Sequence, residues 1–115
     1  LPRLIGKNLA KELIFTGRMI NAEEARQMGI VNQVHEAESL MEAVKKTANM
    51  IAAKGKTSLR AAKEAINKGM DVDLDTGCHM EIDAFSLCMA STDAKEGTHA
   101  FLEKRTAIFK GSLIG

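Results

Sequence analysis

Residues 38–69 read ESLMEAVKKTANMIAAKGKTSLRAAKEAINKG, and their spacing decides the fold class. Met41, Val44, Ala48 and Ile51 recur at helical intervals from about Glu38 to Lys54, and Gly55 closes the run. Leu59, Ala62, Ala65 and Ile66 repeat the pattern over 57–68, and Gly69 stops it.

Outward from this pair the punctuation is the same. Over 73–90, Leu74, Cys78, Ile82, Phe85 and Met89 share a face, and Thr92 is read as the cap of a last helix reaching about Lys104, with Phe101 and Leu102 on its apolar side. Toward the N-terminus, Ile5, Leu9, Ala10, Leu13 and Ile14 form one stripe over 3–15, ended by Gly17. Asn21 with Glu24 three residues on has the capping-box arrangement, predicting a short helix to about Met28, stopped by Gly29. Ile30-Val31-Asn32-Gln33-Val34 is the one β-looking run. The expectation is a mostly α chain of five or six helices and one short strand, an open hairpin of helices with short connections.

Bulk properties narrow the function classes. The 115 residues suffice for one domain, with 45% hydrophobic and 27% charged residues, four Phe, no Trp or Tyr, one Pro and seven Met. Sixteen basic and fifteen acidic side chains leave a net charge of +1, without the clustered basic excess of general nucleic-acid binding. No stretch approaches the ~20 apolar residues of a membrane span, and no signal-peptide pattern is present. The chain opens Leu1-Pro2-Arg3, with no initiator Met, which suggests a removed segment or a piece of a longer protein. Cys78 and Cys88 make no metal spacing, and ten helical residues span about 15 Å, too far for a disulfide, so reduced and buried thiols of a cytoplasmic-type protein are expected.

Local motifs yield no active site. Gly55-Lys56-Thr57 resembles the tail of a phosphate-binding loop, but Met50 stands where that loop needs Gly, and a helix precedes it where a strand is required. His79 and Asp83 lie at i, i+4 on one helix, without a third metal ligand, and read as a surface pair. His35 and His99 stand alone, and no nucleophile signature is present. Composition and periodicity end at a helical, oligomerising domain.

Three stretches carry a resemblance. Leu1-Pro2-Arg3-Leu4-Ile5-Gly6 with Ala10-Lys11-Glu12-Leu13-Ile14-Phe15-Thr16-Gly17-Arg18 resembles the segment just after the catalytic half of crotonases. Asn21-Ala22-Glu23-Glu24-Ala25 through Met28-Gly29-Ile30-Val31-Asn32-Gln33-Val34 is similar to the family's "AEEA…GLVN.V" stretch. Thr92-Asp93-Ala94-Lys95-Glu96-Gly97, Ala100-Phe101-Leu102-Glu103-Lys104-Arg105 and Phe109-Lys110-Gly111 resemble its "D..EG..AF.EKR…F.G" ending. The order and spacing match the enoyl-CoA hydratase (crotonase) family, and "RAAKEAINKG" at 60–69 is similar too.

The resemblance implies the C-terminal helical part of the α/β crotonase spiral: 1–37 as the end of the core region, 38–115 as a trimerisation and lid region, and the catalytic half absent. It implies a parent that adds water to trans-2-enoyl-CoA, by two carboxylates that position water and shuttle its proton and two N–H donors that hold the thioester enolate. Those groups fall upstream of Leu1, so no catalytic residue is assigned in this chain and the fragment is expected to be inactive. No cofactor or metal is implied, acyl-CoA being the substrate. By motif alignment Phe101 lies against the adenine of a neighbouring subunit's CoA and Lys104 meets its phosphates, a ring face and an ammonium suiting a nucleotide. Phe85 is a candidate for the acyl pocket, with burial as core the equal alternative. Arg105 is read as a surface charge or helix-end cation. The Met and Leu content of 38–90 fits a face that packs on another chain. Two other readings stay open: an enoyl-CoA isomerase or other acyl-CoA member, and a stand-alone helical assembly module.

Overall fold

The computed structural model describes residues 1–111, and residues 112–115 of the expected 38–115 region lie outside them. Seven helices form among the described residues. The chain divides into two compact units, Leu1–Lys45 and Lys46–Gly115, with α4 (Ala37–Ala52) crossing the division.

In the first unit the stripe over 3–15 is two helices, α1 (Pro2–Ile5) and α2 (Lys7–Thr16). Gly6 breaks it by adopting φ 83, ψ 156, a backbone state that glycine reaches without a Cβ penalty. Gly17 ends α2 in the left-handed conformation expected, its N–H donating to the Leu13 carbonyl. The capping box at α3 (Ala22–Gln27) forms as read: Asn21 Oδ1 accepts the Glu24 N–H at 2.8 Å and Glu24 Oε2 accepts the Asn21 N–H at 3.0 Å.

The expected strand at Ile30–Val34 does not form, and no strand occurs among the described residues. Gly29, at φ 75, turns the chain back so that the Ile30 N–H donates to the Ala25 carbonyl at 2.9 Å. That donor is spent on the end of α3, and apolar residues become a strand only where a neighbouring edge completes the ladder.

The second unit holds α5 (Lys56–Gly69), α6 (Leu74–Met89) and α7 (Thr92–Leu102). Gly69 lies inside the last turn of α5, and Met70 is the cap. The α5–α6 pair packs closely because two glycines meet there: a Cβ on Gly77 would stand 3.4 Å from the Gly69 carbonyl oxygen. Asp73 caps α6, accepting the Thr76 N–H at 3.0 Å and the Thr76 hydroxyl at 2.7 Å.

The cap of α7 is Ser91, one residue before the Thr92 expected from sequence. Its hydroxyl donates to the Cys88 carbonyl at 2.6 Å and accepts the Ala94 N–H at 3.2 Å. One 1%-exposed group thus serves the end of α6 and the start of α7, which lets the helices turn a tight corner. Helix α7 stops at Leu102 rather than Lys104. The buried apolar residues among those described are small: Ala10 in the first unit, Ala61 and Ala100 in the second. Neither thiol of α6 is buried as expected: Cys78 is exposed and Cys88 half-buried.

Candidate functional site

Helix α7 is followed by a strap, residues 104–111, that the helix itself pins. Asp93 sits in the first turn of α7, 4% exposed. Its Oδ1 accepts the N–H groups of Lys110 at 2.8 Å and Gly111 at 3.1 Å, and its Oδ2 accepts Gly111 N–H at 3.0 Å. One turn on, Glu96 takes Arg105 in a two-pronged pair, Nη1 to Oε1 at 2.6 Å and Nη2 to Oε2 at 3.0 Å, and its Oε1 also accepts the Ile108 N–H at 2.8 Å. These contacts, the Arg105 pair first, hold the Glu96 carboxyl down at about 2. Glu103 adds a third bond to Arg105 Nε at 2.6 Å, and the guanidinium is held more firmly protonated than usual. Gly97 leaves its surface bare for the Phe109 ring, which a Cβ would approach to 3.5 Å.

Asp93, Glu96, Gly97, Arg105, Phe109 and Gly111 are therefore one device. Arg105, read from sequence as a surface or helix-end charge, ties the strap to α7. The signal was present in the sequence as carboxylates at the start of a helix and an Arg beyond its end, but their pairing spans a chain reversal that periodicity does not show.

The helix end between them is unusual. The Lys104 N–H donates to the Phe101 carbonyl at 3.3 Å and the Arg105 N–H to the Ala100 carbonyl at 3.0 Å, the paired closing bonds of a Schellman end. Lys104 occupies the left-handed position usually given to Gly, with φ 52, the one non-Gly residue at positive φ among those described. For an L-residue that costs roughly 1–2 kcal/mol.

Beside the strap, α5, α6 and α7 border an apolar groove of about 980 Å³. Ala65, Gly77, Phe85, Phe101 and Phe109 line it, and Glu81 and Asp93 are its charged residues among those described. The oxygens of Asp93 are committed to the strap, so that carboxylate is structural. The groove brings together two of the three residues singled out from sequence: Phe85, 65% exposed, and Phe101, 82% exposed. Phe85 is not buried within this chain. Lys104 is exposed and lies outside the groove lining.

Two of the histidines are locally engaged. His79 contacts the Asp75 carbonyl at 2.8 Å and lies 3.8 Å from the Asp75 carboxylate, one turn before it, whereas the sequence had paired it with Asp83 one turn after. His35 bonds the Gln33 side chain at 3.0 Å. No group of three metal-ligating side chains occurs among the described residues.

Residues 1–112 match the sequence profile of Enoyl-CoA hydratase/isomerase. The chain belongs to this family. It is 50% identical over 109 residues to the crotonyl-CoA hydratase of Syntrophomonas wolfei, covering 95% of this chain and 42% of that protein. It is 43% identical to the short-chain-enoyl-CoA hydratase of Clostridium acetobutylicum, covering 91% and 40%. The crystal structure of the enoyl-CoA hydratase from Bacillus anthracis superposes with a TM-score of 0.93 at 47% identity, over 96% of this chain and 43% of that one. The mostly helical fold is thus that of a part of the crotonase fold, and the chain spans about two fifths of the length of these relatives.

Proposed function

We propose that these residues are the C-terminal part of an enoyl-CoA hydratase that converts trans-2-enoyl-CoA to 3-hydroxyacyl-CoA, with 1–37 ending the core region and 38–115 forming the helical region that assembles subunits. The observation that carries this reading is the 50% identity to a crotonyl-CoA hydratase over 95% of the chain. Relatives named short-chain-enoyl-CoA hydratase favour a short acyl group. In this reading no catalytic carboxylate belongs to the chain. Its share of the work is binding: Phe85 borders the acyl group, Phe101 offers a ring face to the adenine, and Lys104 offers an ammonium to the phosphates of a CoA held by a neighbouring subunit. Acyl-CoA is substrate, and the reaction as read needs no resident cofactor. A cytoplasmic location goes with it, and no helix among the described residues is long and apolar enough to cross a membrane.

The test has two arms. The 115-residue chain with crotonyl-CoA is expected to show no loss of the enoyl absorbance above background, and measurable turnover overturns the assignment of catalysis elsewhere. In the full-length enzyme, Phe101→Ala is expected to raise KM for crotonyl-CoA about tenfold, the weight of one base–aromatic stack, and an unchanged KM removes Phe101 from the site.

A further inference from the structure

Lys104 combines two observations that a plain surface lysine does not. It sits in the left-handed backbone state where Gly would be unstrained, and its neighbour Arg105 is gripped by two carboxylates, Glu96 and Glu103. The grip has no evident need of Lys104's own side chain, which makes no ion pair with another described residue. A helix end built only for stability would carry Gly at this point. Strain kept at one residue and held in place by its neighbours is the pattern of a side chain whose direction matters.

We infer that the Glu96–Arg105 pair is a positioning device that holds Lys104 in its left-handed conformation and so aims its ammonium at the anionic, nucleotide end of the thioester substrate. The inference rests on the reading that Lys104 meets the CoA phosphates. Glu96 and Arg105 touch no substrate; they act through the backbone of residue 104. The rigid fork of Arg105 suits the task, since two parallel bonds to Glu96 fix the orientation of the chain at 105 as well as its distance. Phe101 is drawn into the same unit, because its carbonyl accepts the Lys104 N–H.

The experiment uses the full-length hydratase carrying these residues and two substrates, crotonyl-CoA and the crotonyl thioester of N-acetylcysteamine, which has the same reacting group and no nucleotide. Lys104→Met first tests the underlying reading, with KM for crotonyl-CoA expected to rise about tenfold. Glu96→Gln is expected to raise KM for crotonyl-CoA roughly three- to tenfold, within the range of coupled neighbours, with a smaller effect on the truncated thioester and on kcat. The double variant is expected to be no worse than Lys104→Met alone, because the two act on one contact. Arg105→Lys, which keeps the charge and loses the fork, is expected to follow Glu96→Gln and serves should that variant fold poorly. Lys104→Gly is expected to raise Tm while weakening crotonyl-CoA. If Lys104→Met raises KM but Glu96→Gln and Arg105→Lys do not, the positioning role is overturned and the binding reading survives. If Lys104→Met itself has no effect, both fall. Equal losses on both substrates in Glu96→Gln also overturn positioning, since a merely structural pair would act on each alike.

Discussion

Asp93 accepts three hydrogen bonds from the strap while 4% exposed, so its replacement tests the strap with little ambiguity. Asp93→Asn turns an amide donor toward backbone donors, and a buried unsatisfied pair costs about 1–3 kcal/mol. The expected outcome is a lower Tm with faster amide hydrogen exchange at Lys110 and Gly111; unchanged exchange there contradicts the latch. Glu96 gives the pH dependence. Its carboxyl is lowered from 4.5 to about 2, so its contribution is fully present above pH 4.5 and is lost as pH falls toward 2. An NMR titration of the Glu96 carboxyl is expected to show a midpoint near 2 that rises with added salt, because the pair is partly open to solvent and screened. A midpoint near 4.5 would mean that the Arg105 pair does not form in solution.

At the level of elements, the caps decide where helices begin and glycines decide how close they come. The box at α3 satisfies two N-terminal donors at once. Asn21→Ala is expected to cost about 1 kcal/mol, seen as a drop in thermal midpoint and faster exchange at the Glu24 amide. Gly77 faces Gly69 at a distance that would leave an added methyl group in van der Waals contact. Gly77→Ala is expected to be neutral or slightly stabilising through helix propensity, whereas Gly77→Leu should separate α5 from α6 and lower stability by about 1–3 kcal/mol. Equal stability of the two variants would show that the helices do not meet there. Both features were legible to different degrees. The cap was written in Asn21 and Glu24, three residues apart. Gly69 and Gly77 were legible as breaks, but the meeting of the two depends on the α5–α6 crossing. The split at Gly6 was hidden for the converse reason: the apolar stripe runs through it, and periodicity does not register one residue at positive φ.

For the molecule as a whole the decisive quantity is surface. Among the described residues Phe15, Met19, Leu74, Phe101, Leu102 and Ile108 are each more than two thirds exposed. Alanines 10, 61 and 100 are the buried apolar residues among those described, too little side chain to stabilise a chain of this size alone. The 115-residue chain is therefore expected to self-associate at micromolar concentration, and a single monomeric species in sedimentation velocity would contradict this.

The sequence by itself determined the helical class, the order of the helices and most of their ends, because spacing, caps and glycines act within a few residues. Its motifs also carried the family. Tertiary structure alone decided that Ile30–Val34 is no strand, since a strand needs a second edge, and that Asp93, Glu96 and Arg105 form one latch, since they meet only where the chain turns back after α7. It also decided that Phe85 and Phe101 share a groove while Lys104 stands beside it in a strained backbone state. The latch and the groove depend on residues brought together across a chain reversal, where local preference is silent and packing chooses.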